Sequence, residues 1–259
     1  MAWEHFILYI IVFLYGIVIG SFLNVCIYRI PKGESIVTVG SHCLHCNHKL
    51  RWYDLFPLFS WLFLRGKCRY CGAGISIQYP VIEGFNGLLY LVVFFVNGWN
   101  VDSFLYCTMT SILIVISVID YRIMMIPTAA DLLLLAVGLI HLFLHLNEWT
   151  YYVIGFVSVG LFLLLCALLF RAVTGKSGLG LGDVELMACA GLCIGWGHGL
   201  FAIVLGSVLG VLVEGTKILV TKKKGKFPFG PYLSIGVWIA ALWGNMLYEW
   251  YMNWAMGMN

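Results

Sequence analysis

Long, predominantly apolar stretches recur along this chain, at about 6–27, 83–97, 103–119, 129–146, 150–170, 186–196, 200–220 and 232–252. A helix needs about 20 apolar residues to cross the hydrocarbon core of a bilayer. No water is available there, so every backbone N–H and C=O must be paired within the structure. The runs show no period-two alternation, which favours helices over a closed barrel. Composition agrees: 62% of residues are hydrophobic and 10% charged, against about 45–50% and about 25% in soluble domains. A water-soluble monomer and a disordered chain are both excluded. A formal net charge of only +3 does not favour nucleic-acid binding, and nine scattered cysteines do not make a secreted disulfide scaffold.

The expected fold is an all-α polytopic membrane protein of about eight transmembrane helices. The first run has only Glu4 before it and no small-residue cleavage signature after it, so it reads as a retained helix rather than a signal peptide. The sixth is short and glycine-rich, which suggests a tilted or partly re-entrant segment. Three regions follow: 1–30 as the first helix, 31–80 as a polar loop rich in cysteine and proline, and 81–259 as a seven-helix membrane domain. All fifteen Lys and Arg lie in or beside alternate connections. Arg29 to Arg69 occupy the long loop, Arg122 follows the third run, and Arg171 and Lys176 follow the fifth. Lys217, Lys222, Lys223, Lys224 and Lys226 cluster after the seventh. By the positive-inside rule, the long loop faces the cytoplasm and both termini face outward.

Only twelve carboxylates exist. Glu4, Glu34, Asp54, Asp102, Glu148 and Glu249 lie in loops or near membrane edges and read as solvated charges. Glu83 and Glu214 fall near cytoplasmic helix ends. Asp120 closes the third apolar run, and Asp183 closes Gly180-Leu181-Gly182-Asp183 and opens the sixth. The topology places both at the cytoplasmic end of a helix, at similar depth. Two carboxyls sharing a site cannot both ionise easily, so one keeps its proton. That is the division of labour needed to hydrolyse a peptide bond: one group takes a proton from water, and the other gives one to the carbonyl oxygen or leaving amine. The glycines from Gly178 through Gly180 and Gly182 permit close backbone approach, so an extended substrate can lie there. The structural alternative makes Asp183 a helix N-cap. Asp131, about one turn into the fourth helix, is the rival first aspartate; its alternative is a helix-start residue after Pro127.

The long loop carries Cys43-Leu44-His45-Cys46 and Cys68-Arg69-Tyr70-Cys71, with 21 residues between the pairs. Four thiolates so spaced, one residue beyond the usual gap, suit a tetrahedral, structural Zn2+ site with no open position; the alternatives are four free thiols or a redox pair. Disulfides are disfavoured in the cytoplasm. His42, His45 and His48 read as loop histidines, and Cys26, Cys107, Cys166, Cys189 and Cys193 as packing or lipid-facing residues.

These motifs together resemble the type IV prepilin peptidase family, also called the leader peptidase/N-methyltransferase family. The resemblance covers nearly the whole chain. It includes Gly20-Ser21-Phe22-Leu23-Asn24-Val25, Tyr28-Arg29-Ile30-Pro31, both cysteine pairs, Trp52-Tyr53-Asp54 and Tyr79-Pro80-Val81-Ile82-Glu83. It continues through Asp120 with Ile126-Pro127, Gly178 to Asp183, and Pro228-Phe229-Gly230-Pro231. It implies a membrane aspartic endopeptidase of the bacterial cytoplasmic membrane with Asp120 and Asp183 as its catalytic pair. Such enzymes cut the leader from type IV prepilins or pseudopilins at the cytoplasmic face. Members with the cysteine loop usually also methylate the new amine with S-adenosylmethionine, though no glycine-rich nucleotide fingerprint locates that cofactor here. Glu185 stands where a lysine is common, and Thr128 where an aspartate or asparagine is frequent. The competing function is a zinc-regulated transporter or channel, with Asp120, Asp131 and Glu214 lining an ion path. Transporters place coupling carboxylates near the midplane and repeat their halves; this sequence does neither. The sequence does not fix the oligomeric state.

Overall fold

The computed structural model describes residues 2–175, 178–222 and 227–255. Lys176, Ser177, Lys223, Lys224 and Lys226, which carry part of the glycine-loop and charge arguments, lie outside the described residues. The described chain is helical, with two isolated β-bridges and no strand. Its helices are α1 Ala2–Arg29, α2 Phe59–Phe63, α3 Gln78–Asn97, α4 Val101–Ile123, α5 Thr128–Leu144, α6 Trp149–Thr174, α7 Leu181–Thr221 and α8 Gly230–Ala255. Five described helices are long and apolar enough to cross a membrane, and α5 is a shorter apolar helix. Much of their apolar surface is uncovered: in α1, α6 and α7 only 28%, 22% and 22% of the most apolar window is buried. Faces such as Phe6, Ile11 and Val18 on α1, or Leu165 and Leu169 on α6, stand exposed. In water such area would aggregate; in lipid it is solvated. The chain is a multi-pass membrane protein.

Runs at about 186–196 and 200–220 are expected to form two helices, and both lie within α7, separated by a kink at a single residue, Gly195, at φ 80° and ψ 171°. At 1.5 Å per residue, the 41 residues of α7 would reach about 60 Å unbroken, roughly twice a bilayer core. A Cβ at Gly195 would run into the ring of Tyr151, so only glycine can turn the chain there. The half before the break is nearly sealed, with Leu186, Met187, Cys189, Ala190, Leu192, Cys193 and Ile194 all buried.

The chain forms two compact units, 1–115 and 116–259, whose boundary falls within α4. In the first, α1 packs along α3. A Cβ at Gly16 would lie 2.7 Å from the Gly87 Cα, and one at Gly20 2.7 Å from the Glu83 Cα. Small residues four apart let the backbones meet, as between helices in lipid. Polar groups then bridge the seam: Asn86 Nδ2 donates to the Gly16 carbonyl at 2.7 Å, and Asn24 Nδ2 to the Tyr79 carbonyl at 3.2 Å. In the second unit, α5, α6 and α8 all pack on α7. Gly155 of α6 meets Gly191 of α7 backbone to backbone, so that a Cβ on either would strike the other's carbonyl.

Candidate active site and cysteine centre

Asp120 and Asp183 both belong to the second unit. Asp120 sits in the last turn of α4 and is 5% exposed. Its Oδ2 accepts the backbone N–H of Gly230 at 2.9 Å, across 110 residues. Gly230 is the first residue of α8, so the carboxylate caps that helix and meets the positive end of its dipole. A Cβ at Gly230 would lie 2.8 Å from this same oxygen. The glycine therefore supplies the N–H and also leaves the room. The Pro228-Phe229-Gly230-Pro231 motif carries no sign of this role in its own sequence; the role appears only when the fold brings Gly230 to Asp120.

Asp183 does not cap its own helix. Gly180 is the N-cap of α7, at φ −74° and ψ 147°, and Asp183 is the third helical residue. Its Oδ2 reaches back to accept the Gly180 N–H at 3.2 Å. This is one half of a capping box, and it satisfies a donor that the helix start would leave orphaned. Gly182 faces the connection after α4: a Cβ there would lie 3.0 Å from the Ile126 Cβ. The Ile126-Pro127 step thus bears on the glycine loop, while Pro127 starts α5. Asp183 is 9% exposed and feels the charge of Asp120. The structure brings together Asp120, Gly180, Gly182 and Asp183.

The remaining carboxylates divide. Asp131 was read as a helix-start residue; it lies in the first turn of α5, is 4% exposed, and neither of its oxygens has a hydrogen-bond partner among the described residues. The charges of Glu185 and Asp183 reach it. Glu185 itself is exposed. Glu214 is tied down, accepting the Tyr232 hydroxyl at 2.9 Å and pairing with Lys217 Nζ at 3.3 Å. Glu83 is buried and accepts the Leu58 N–H at 2.7 Å.

In the first unit the two cysteine pairs form matching turns. Cys43 N–H donates to the His48 carbonyl at 3.0 Å and Asn47 N–H to the Cys43 carbonyl at 2.9 Å. Cys68 N–H donates to the Ala73 carbonyl at 2.8 Å and Gly72 N–H to the Cys68 carbonyl at 2.9 Å. Asn47 and Gly72, each following a second cysteine, both take positive φ. The bridges His42 to Lys49 and Lys67 to Gly74 close the two knuckles. The four thiols lie within 4.8 Å of one another, and Cys43 Sγ to Cys71 Sγ is 3.8 Å. A tetrahedron of sulfurs about 2.3 Å from zinc has edges of about 3.8 Å. The donor set and this spacing therefore suit Zn2+. The backbone N–H groups of Cys46 and His45 hold the Cys43 thiol down at about 6, which favours the thiolate that a metal needs.

Asp54 corrects the expectation of a solvated loop charge. Its side chain is 3% exposed and accepts from Arg69 Nε at 2.7 Å, the Tyr70 hydroxyl at 2.9 Å and the Arg51 N–H at 3.2 Å. Burial pushes this carboxyl up, but these three donors outweigh it and hold it below the usual range. It anchors the second knuckle through the two residues between Cys68 and Cys71.

Residues 14–97 match the family model of the bacterial peptidase A24 N-terminal domain, and residues 107–214 that of the type IV leader peptidase family. A protein of Aeromonas hydrophila named prepilin leader peptidase/N-methyltransferase is 34% identical over 291 residues, covering 98% of this chain and 96% of that one. Proteins of the same name from Stutzerimonas stutzeri and Pseudomonas putida are each 35% identical. They cover 93% and 90% of this chain, and 92% and 90% of their own lengths. No solved structure matches the chain.

Proposed function

The chain belongs to the type IV leader peptidase family, and from that premise we propose that Asp120 and Asp183 are the carboxyl pair with which it cleaves prepilins. The protein is a membrane-bound prepilin peptidase that also N-methylates the new terminus. The observation that carries the assignment is the matched anchoring of the two aspartates. Each is buried at a helix end and held through Oδ2 by one glycine N–H, from Gly230 or from Gly180. In the reaction one carboxylate takes a proton from water as it attacks the scissile carbonyl, and the protonated partner gives its proton to the carbonyl oxygen or departing amine. No covalent intermediate forms. The glycine approach from Gly178 to Gly182 lets an extended substrate backbone lie beside Asp183.

The finer topology belongs to the same proposal. Counting α7 as two spans about Gly195 gives eight membrane helices, with the cysteine loop and catalytic pair facing the bacterial cytoplasm and both termini outside. The charge alternation supports this orientation. Cys43, Cys46, Cys68 and Cys71 hold one structural Zn2+, and S-adenosylmethionine supplies the methyl group. Zinc here orders a loop with little apolar core of its own. Substrates are single-span prepilins or pseudopilins whose apolar helix docks within the bilayer.

Asp→Asn at position 120 or 183 tests the pair, because an amide keeps the size but cannot cycle a proton. Each should abolish leader cleavage with membrane insertion intact, and the double variant should lose little more, since residues acting as a unit are not additive. Asp131→Asn should still cleave. Activity in Asp120→Asn together with a dead Asp131→Asn would move the first catalytic residue to position 131. Activity in both dyad variants would end the aspartic mechanism. The transporter reading has no comparable support, since Glu214, one of its path residues, is occupied by Lys217 and Tyr232.

A further inference from the structure

The short helix α2 turns its apolar side outward. Phe59, Leu62 and Phe63 are all exposed, Leu62 to 66% and Phe63 to 81%. Phe56, just before the helix, is exposed too, its ring centroid 5.7 Å from that of Phe59. The other side of α2 is tied down. Trp61 donates its indole N–H to the Ile75 carbonyl at 3.1 Å, pinning α2 to the foot of the second knuckle. A Cβ at Gly66 would lie 2.9 Å from the Trp61 ring, so the ring is closely held. The Leu58 N–H donates to Glu83 Oε2 at 2.7 Å, and Leu58 Cδ2 lies 3.6 Å from where a Cβ on Gly84 would stand. Leu58 adopts φ 61° and ψ −54° at this contact, a costly conformation for a residue with a branched side chain. Such a cost persists only where the surroundings impose it.

The attachment sets a depth. Helix α3 is one of the helices long and apolar enough to cross a membrane. Glu83 and Gly84 lie about 8 and 9 Å along it from Gln78, at 1.5 Å per residue. Val81, Phe85 and Leu88, spaced to share one face of α3, are all exposed and form its lipid-facing stripe. Val81 is nearer the start of α3 than Glu83 is, so α2 joins α3 at a depth where that stripe has already begun. A helix with an apolar face, lying at such a level, settles about 5–10 Å into the boundary between headgroups and acyl chains. Arg65 and Lys67 follow α2 directly; both are exposed, and their side chains have no ion-pair partner among the described residues. Basic side chains so placed suit anionic headgroups.

We propose that α2 is an interfacial anchor that docks on the lipid surface: Phe59, Leu62 and Phe63 enter the acyl boundary beside α3, and Arg65 and Lys67 meet anionic headgroups. The docking face continues the lipid-facing stripe of α3, so the same leaflet covers both. The second knuckle is fixed to α2 through Trp61. The anchor therefore holds the cysteine centre at the height of the membrane surface instead of leaving it to swing on a loop between two spans. The inference rests on α3 lying in the membrane and is independent of which carboxyl groups cleave the substrate.

The experiment places the full-length, zinc-loaded protein in vesicles of phosphatidylethanolamine and phosphatidylglycerol that include a phospholipid with a photoreactive diazirine in its acyl chain. After illumination, trypsin cuts after Arg51 and Arg65 to release 52–65, which holds α2. It cuts after Lys32 and Lys49 to release 33–49, the exposed stretch that leads into the first knuckle. Mass spectrometry reads the lipid adduct on each peptide. The 52–65 peptide should carry about tenfold or more adduct than 33–49 if its apolar face lies in the acyl boundary. Leu62→Gln combined with Phe63→Gln, both at exposed positions, should bring 52–65 down to the level of 33–49 with zinc content unchanged. The wild-type comparison decides alone if that variant loses zinc. Equal labelling of the two wild-type peptides would overturn the anchor and leave this face to a protein partner. Undiminished labelling of 52–65 in the zinc-loaded double variant would overturn the assignment of lipid contact to this face of α2.

Discussion

Gly230 shows how much chemistry one missing side chain can carry. It donates the N–H that holds the Asp120 Oδ2, and an added methyl would lie 2.8 Å from that oxygen. Alanine there must push the carboxylate off its anchor. Gly230→Ala should therefore lower the cleavage rate by about 10²-fold, the usual penalty for displacing a reacting group by about 1 Å. Cleavage kinetics checks this, and near wild-type turnover would show that the anchor is dispensable. Asp120 and Asp183, the proposed pair, stand out in the sequence itself, because carboxylates at the ends of apolar runs are scarce and costly. Gly230 was not, because a glycine beside two prolines reads as a turn until its partner 110 residues away is known. Asp54 escaped for the same reason: three donors that come together only in the folded loop turn an ordinary loop acid into a buried anchor.

At the scale of elements, the two knuckles and the α6–α7 seam make separate claims. The knuckles predict about one Zn2+ per chain, lost when both cysteines of either pair become serine, with methylation falling more than cleavage. Their pH response follows from the groups involved. The Cys43 thiol sits at about 6, and Asp54 lies below the usual carboxylate range, so both are depressed. Groups of this kind contribute when ionised and lose their contribution as pH falls through the folded value. Zinc retention should therefore decline in acid, as protons compete for the thiolates, and protonation of Asp54 should release Arg69. Metal analysis across an acid series reads the first step; full occupancy at pH 4 would contradict it. At the seam, a Cβ on Gly155 would strike the Gly191 carbonyl. Gly155→Ala should cost about 1–3 kcal/mol of stability, seen as a lower unfolding temperature in detergent. The helices themselves were readable from hydrophobic runs, including the two halves of α7. Their junction was not: a glycine and a tryptophan between two apolar stretches look like a loop, and only the fit of the Tyr151 ring against Gly195 shows a break at a single residue.

Across the whole molecule, the apolar faces that the helices leave uncovered and the one-sided basic residues fix what surrounds the protein. A cysteine at position 37, on the exposed part of the long loop, should react with a membrane-impermeant maleimide only after permeabilisation. One at position 100, exposed between α3 and α4, should react in intact cells; both are scored against the parent protein's own thiols. Labelling of position 37 from outside would invert the proposed topology and place the proposed catalytic pair on the outer face. Hydrophobic runs, charge placement and CxxC spacing are local properties, so the lipid surroundings, the helical class, the two proposed catalytic aspartates and the four clustered thiols can be read from the chain alone. The tertiary structure decided what orients them: the Gly230 N–H on Asp120, the Ile126 contact on Gly182, the Asp54 anchor behind the knuckles, and the tie from Leu58 to Glu83 that sets α2 against α3. Each depends on groups far apart in the chain reaching hydrogen-bond or van der Waals distance, and that closeness exists only once the helices have packed.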